Sequence, residues 1–349
     1  MIPVPSRLEP IFDRRLWGMT DLSPLFPQFH KEESPIAEAW LTGDQCPVAT
    51  GPFTGRKLGQ AWAAMPPEWK GARCRDEKQI PLLVKFLFPG DRPSIQVHPD
   101  DAYAGQHEFA AGGRGKTEMW HFVAARPGAE LLYGLQKDVT AESFRRAIAQ
   151  GTVESHVAAL PVAAGDTVFV PAGAVHTIGA GTVLCEIQQQ SDITYRVFDF
   201  NRLGPDSKPR PLHVDKALAV IRFEQQVGGK TTPVRIATPH LTESYLAACP
   251  YFATEKWEFD QRTGGVTSRE SFELLIFLSG AGVMEYQGES VDYARAQAWF
   301  LPASLGPYQL QPREPTALLR TYVPDLNSFV ERLSSLKVSP DRMSDIVFR

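Results

Sequence analysis

From Pro81 onward the chain is written in short apolar runs broken by turn residues. The first run, Leu82-Leu83-Val84-Lys85-Phe86-Leu87-Phe88, lies between Pro81 and Pro89-Gly90 and predicts a buried strand. Further strands are predicted at Ser94–His98, Glu118–Val123, Ala129–Tyr133, Asp166–Val170, Thr182–Ile187 and Tyr195–Phe200. One segment has clear helical periodicity, Ala141–Gln150, with Thr140 to cap its start and Gly151 to stop it. A second strand series follows at Glu255–Phe259, Glu273–Leu278, Val283–Tyr286, Ala298–Leu301 and Ala317–Val323. The intervening 203–240 stretch carries turn residues (Gly204-Pro205, Pro209, Pro211, Gly228-Gly229) and reads as a connection. Residues 1–80 show little periodicity and are expected to wrap the core built by 81–202, with Ser34–Trp40 either a short helix or an extended edge. The tail, 326–349, begins with a predicted helix over Asn327–Leu336 and then turns polar.

The two strand series resemble one another at one point. Gly165–Ala172 ends Phe-Val-Pro-Ala, and Ala296–Ala303 ends Phe-Leu-Pro-Ala. His176 stands five residues after Pro171, and Pro307 stands five after Pro302, so the second copy repeats the shape without the histidine. The reading is a mainly β chain of two units, 81–202 and 241–325, with the candidate chemistry in the first. Composition narrows the class. At 349 residues, 43% hydrophobic and with a net charge of −4, the chain is globular and lacks the basic excess of a nucleic-acid binder. There is no membrane-length apolar run and no leader-like start at Met1, and Cys46, Cys74, Cys185 and Cys249 have no paired spacing. A cytoplasmic protein, with a monomer as the simplest assembly, is the expectation.

Lys85 inside the first apolar run is an anomaly, because a buried lysine needs an anionic partner. Gln96 and His98, two apart on a strand, share a face. With Glu118 opening another strand and His176 following the Pro171-Ala172-Gly173 turn, they make a nitrogen-and-oxygen set for a divalent metal. Such a set suits Zn²⁺ but also Mn²⁺, Fe²⁺ or Ni²⁺. His30, His107, His156, His213 and His240, and His121 with the opposite strand parity to Glu118, read as structural or surface residues.

The run from Gly165 to His176 matches the second metal motif of the cupin barrels, though Ala180 stands where an asparagine often follows. Ser94–Asp101, Gly115–Trp120, Pro171–His176 and Tyr195–Arg202 in this order resemble the type I mannose-6-phosphate isomerases of short bacterial form. The resemblance covers about residues 10–325. It implies two cupin-type (jelly-roll) β-barrels with a few helices, the second barrel degenerate and metal-free. It also implies one Zn²⁺ in the first barrel, held by Gln96, His98, Glu118 and His176, and a small sugar phosphate as substrate. Arg196 matches the family's catalytic arginine, Lys116 and Glu186 match polar residues of its active site, and Lys85, Ser94 and Arg202 match positions implicated in phosphate binding.

The chemistry so implied is aldose–ketose isomerisation between mannose 6-phosphate and fructose 6-phosphate. A proton moves between C2 and C1 through an enediolate, whose charge calls for a Lewis acid and a fixed cation. Glu186, a metal-bound hydroxide, or a Lys116 of lowered pKa are the candidate bases. Two other classes are weighed against this one: an iron-dependent cupin dioxygenase and a non-enzymatic sugar-phosphate-binding regulator.

Overall fold

A computed structural model describes residues 1–204, 207–224 and 228–349. Pro205 of the Gly204-Pro205 turn lies outside the described residues. The chain is mainly β with seven short α-helices among those residues. Four open antiparallel sheets carry the architecture. The first large sheet runs, edge to edge, Gly229–Lys230, Thr167–Val170, Glu118–Ala125, Thr182–Gln189, Leu82–Leu87, Glu38–Trp40 and Ile11–Asp13. Against it packs a first small sheet of Tyr195–Phe198, Ile95–Val97, His176–Thr177, Glu130–Leu135 and Val157–Pro161. A second large sheet contains Ser6–Leu8, Ala298–Leu301, Glu273–Ser279, Thr316–Tyr322, Ala253–Phe259, Leu241–Ala248 and Val234–Ala237. Its small partner is Thr263–Val266, Pro307–Pro312, Ala281–Tyr286 and Glu289–Ala294. No sheet closes on itself among the described residues; the architecture is two facing pairs of sheets.

Strand parity sorts the side chains of the first large sheet. Leu83, Lys85 and Leu87 face the first small sheet, while Leu82, Val84 and Phe86 join an apolar core on the opposite side. That core also contains Leu274, Ile276, Phe300 and Leu319 from the outward face of the second large sheet. The two large sheets are therefore buried on both sides, which explains why their strands read as continuous apolar runs rather than alternating ones. Trp62 and Trp69, from the helices Leu58–Ala64 and Pro67–Lys70, fill the same seam.

The N-terminal 80 residues contribute strands to both large sheets. Ser6–Leu8 pairs with Ala298–Leu301 in the second large sheet, whereas Ile11–Asp13 and Glu38–Trp40 extend the first. The Ser34–Trp40 segment thus ends as an edge-side strand. The predicted helix is found at Ala141–Gln150, capped by the Thr140 hydroxyl and ended by Gly151 in the left-handed region. The connection holds a helix, Val214–Val220, and contributes a strand to each large sheet. The tail carries two helices, Leu326–Ser335 and Pro340–Ser344, whose Phe329, Leu333 and Met343 pack on Tyr245 and Ala253. Phe348 then stacks on Phe169 of the first unit with ring centres 3.8 Å apart. This apolar half of the tail is invisible in its polar composition.

Candidate active site

Gln96, Glu118 and His176 reach one point because three strands bring them there. His176 lies opposite Gln96 in the first small sheet, and Glu118 opens the facing strand of the large one. The Pro171-Ala172-Gly173 turn aims His176 inward. Gly173 has φ +86°, and a Cβ there would lie 2.9 Å from the Val220 carbonyl oxygen, so only glycine makes this turn. His98, Glu118 and His176 are fully buried, and their donor atoms all lie within 4.8 Å of one another.

The donor set fits a small divalent cation. His98 Nδ1 lies 2.8 Å from the Ile193 carbonyl and His176 Nδ1 3.0 Å from that of Ala174. A carbonyl only accepts, so both Nδ1 atoms carry hydrogen and both Nε2 lone pairs face the site. Burial keeps both imidazoles neutral, His176 down to about 3 and His98 well below its ordinary value, with Lys116 acting in the same direction. Glu118 Oε1 is 3.4 Å from His176 Nε2, and its Oε2 is 3.7 Å from His98 Nε2. Donors bound at about 2.0–2.1 Å to a tetrahedral ion stand roughly 3.3 Å apart. Glu118 is buried; its Oε1 has no hydrogen-bond partner, and its Oε2 is met by the Lys116 ammonium. Lys116 Nζ lies 2.7 Å from Glu118 Oε2 and 3.3 Å from His98 Nε2, so positive charge is already favoured at this point. Gln96 Nε2 stands 3.3 Å from His176 Nε2, and a half-turn of the amide would present its oxygen instead. His121 turns to the other face and meets Thr167 Oγ1.

Of these groups Gln96 and Lys116 line a cleft of about 300 Å³, together with Ser94, Glu186, Arg196 and Lys85 among others. A larger groove of about 580 Å³, beside Arg7, Phe12, Phe26 and Arg295, has no histidine in its lining. Two of the lining residues, Lys85 and Glu186, lie side by side on paired strands, and Trp120 flanks Glu186 on the next. The Trp120 indole donates to Glu186 Oε1 at 3.0 Å. Burial raises the Glu186 carboxyl above its ordinary value, against the pull of Lys116 and Lys85. Burial works against charge on Lys116, but Glu118 and Glu186 outweigh it and hold the ammonium above its ordinary value. A Lys116 of lowered pKa, one of the three candidate bases, is therefore not what the geometry supplies.

Lys85 finds acidic neighbours. Its Nζ is 3.2 Å from Asp192, 3.3 Å from Glu38 and 4.0 Å from Glu186, and it lies 4.0 Å over the Trp40 ring. Arg196 has no carboxylate within ion-pair range among the described residues. It donates to the Pro211 carbonyl at 2.9 Å, and its buried Nε has no partner. Arg202 does not line the cleft. It bonds Asp199 at 2.7 Å and the Arg92 carbonyl at 2.6 Å. Arg15, Glu38, Asp192 and Arg210 line it and are absent from the sequence-derived set. Only the anomalous Lys85 hinted at unseen acidic partners.

The sequence profile described as "Mannose-6-phosphate isomerase, cupin domain" matches residues 242–318, in the second unit. The mannose-6-phosphate isomerase of Streptococcus mutans is 35% identical over 312 residues, covering 86% of this chain and 95% of its own. The chain belongs to the mannose-6-phosphate isomerase family. The crystal structure of the mannose 6-phosphate isomerase from Bacillus subtilis superposes with a TM-score of 0.82 at 28% identity, over 91% of this chain and 99% of its own. A mannose 6-phosphate isomerase bound with zinc and yttrium shares the fold at a TM-score of 0.69 and 15% identity, over 91% of this chain and 99% of its own. Within this isomerase family the buried trio of His98, Glu118 and His176 is the chain's candidate metal group.

Proposed function

We propose that this chain interconverts D-mannose 6-phosphate and D-fructose 6-phosphate, with Zn²⁺ held by His98, Glu118 and His176 and with Gln96 as a fourth donor. The observation that carries this reading is the convergence of the His98 and His176 Nε2 lone pairs on the buried Glu118 carboxylate, all donor atoms lying within 4.8 Å of one another. When bound, the metal supplies Lewis-acid polarisation of the sugar oxygens. The chain's own residues do the rest. Glu186, ionised and held by Trp120, removes the proton at C2 of the aldose and returns it at C1, while the hydroxyl proton passes from O2 to O1. Arg196 lends a fixed positive charge to the planar enediolate, and Lys116 adds a second cation beside the same oxygens. A cleft lined by Arg15, Lys85, Lys116, Arg196 and Arg210 has a use in binding a phosphorylated sugar and none in oxygen activation, which favours the isomerase over a cupin dioxygenase.

The test is a coupled assay on purified protein with mannose 6-phosphate. Turnover is expected to vanish after exhaustive chelation and to return with added Zn²⁺. The His176→Ala variant should lose stoichiometric metal and about a thousandfold in kcat/KM, near 4 kcal/mol of barrier. Undiminished turnover in a metal-free preparation would sink the metal-assisted reading.

A further inference from the structure

No carboxylate ion-pairs with Arg196 among the described residues, so the orientation of this cation has another source. An arginine side chain gives up rotamer freedom when it is held in one place, and something must hold it there. Its strand, Tyr195–Phe198, is the edge of the first small sheet. On the inner side of that strand Arg196 lies level with Gln96. On the open side, where an edge strand ordinarily leaves its polar groups to solvent, both backbone groups of Arg196 are taken by one residue. The His213 N–H donates to the Arg196 carbonyl at 2.8 Å, and the Arg196 N–H donates to His213 Nδ1 at 3.1 Å. The guanidinium is caught by the same stretch of chain, its Nη1 donating to the Pro211 carbonyl at 2.9 Å. Pro209 and Pro211 fix φ within that stretch, so the carbonyl sits on a stiff support. His213 is anchored on its far side as well. Its carbonyl accepts from the Ala217 N–H of the helix Val214–Val220, and Ala217 is buried in one core with Tyr195 and Val197. Burial and the charges of Arg196 and Lys216 lower the His213 imidazole from its ordinary value, which keeps the ring neutral and its Nδ1 lone pair able to accept.

We propose that His213 is the positioning residue of Arg196: its ring ties the 209–213 stretch to the edge strand, and the Pro211 carbonyl of that stretch holds the guanidinium at the cleft. This rests on the isomerase reading, in which Arg196 stabilises the enediolate, and adds what orients that charge. His213 does not line the cleft, so it acts through Arg196 and not on the sugar. A guanidinium held in place beforehand needs no reorganisation as negative charge develops on the substrate oxygens. Removing the ring leaves the backbone bond from the His213 N–H but frees the stretch to shift, so the loss falls on the transition state more than on substrate binding.

The experiment compares wild type, His213→Ala, Arg196→Ala and the double variant in turnover of mannose 6-phosphate, each loaded with Zn²⁺ and checked for folding by circular dichroism. His213→Ala is expected to lower kcat about tenfold with KM within about twofold of wild type. In the Arg196→Ala background the same change should move kcat by less than about twofold, because the group it positions is gone. A second readout needs no substrate. The Arg196 Nε–H resonance, identified in the proton–nitrogen NMR spectrum by its loss in Arg196→Ala, should broaden or vanish in His213→Ala. Pro211→Gly keeps the His213 ring but loosens the tether, and should lower kcat about threefold and broaden the same resonance, so it decides the matter if His213→Ala fails to fold. Wild-type kcat in folded His213→Ala, a loss confined to KM, an undiminished loss in the Arg196→Ala background, or an unchanged Arg196 resonance each overturns the proposal, as does wild-type kcat in Pro211→Gly where His213→Ala does not fold. Failure of the isomerase reading looks different: wild type turns over no mannose 6-phosphate, yet the Arg196 resonance still broadens in His213→Ala.

Discussion

The two units place buried charge at the same strand positions and use it in opposite ways. In the first, Glu118 lies opposite Val170, just before Pro171; in the second, Glu273 lies opposite Leu301, just before Pro302. Following the register across each sheet, Glu186 has Trp120 and Lys85 as its neighbours, and Arg320 has Leu275 and Glu255. The Lys–Glu pair of one unit is a Glu–Arg pair in the other. His176 faces Gln96, and the corresponding Pro307 faces Val266. In the second unit the charges satisfy one another. Arg320 reaches Glu273 at 2.5 and 2.8 Å and Glu255 at 3.1 Å, while Tyr308, Tyr322 and Trp257 donate to the remaining carboxylate lone pairs. In the first unit Glu118 meets one cation, Lys116, through Oε2, keeps Oε1 without a partner, and lies beside an open cleft. A buried polar cluster that completes its own valences is structure; one that leaves donors and acceptors unfilled has capacity for a ligand.

The sharpest way to break this comparison is Arg320→Met. It strands Glu255 and Glu273 without their common partner and should cost about 3–5 kcal/mol of folding stability in urea titrations. Replacing all three charged residues together with apolar ones should recover most of that loss, because a self-neutralised cluster has no external role. If Arg320→Met instead abolished turnover without lowering stability, the division of labour between the units would be wrong.

Next in size is Arg196→Ala. With no carboxylate partner to strand, it should leave the melting temperature nearly unchanged and lower kcat about a hundredfold, near 2.7 kcal/mol, with a modest change in KM. A loss confined to KM would move Arg196 out of the reacting centre.

The smallest effect is one of pH. Glu186 acts as base only when ionised, and burial raises its pKa above the ordinary 4.5. Activity should therefore fall as pH drops through that raised value, placing the acid limb of kcat/KM above 4.5. An acid limb at or below that value would assign the proton to another group.

Much of this was legible in the chain itself. Period and punctuation locate the strands Leu82–Leu87 and Ala298–Leu301 and the helix Ala141–Gln150, because local sterics and capping act over a few residues. His98, Glu118 and His176, which the structure gathers within 4.8 Å, could be named because strand parity and the Pro-Ala-Gly turn are also local. Arg202 shows the limit: a cation at the right place in a motif was turned to Asp199 and away from the cleft lining. Arg15, Glu38, Asp192 and Arg210 carried no local signal. They reach the cleft through distant strand pairing and loop returns, and one carboxylate on a loop looks like any other until its partner is known.

The sequence by itself therefore pointed to the elements and to the candidate trio of His98, Glu118 and His176, since both follow from short-range geometry. Only the tertiary structure decided which charges are spent on each other. Asp199 is committed to Arg210 and Arg202, and Lys85 to three carboxylates, while Arg196 is left with an open donor. Charge pairing falls off with distance and rises with burial, and both are properties of the folded chain alone.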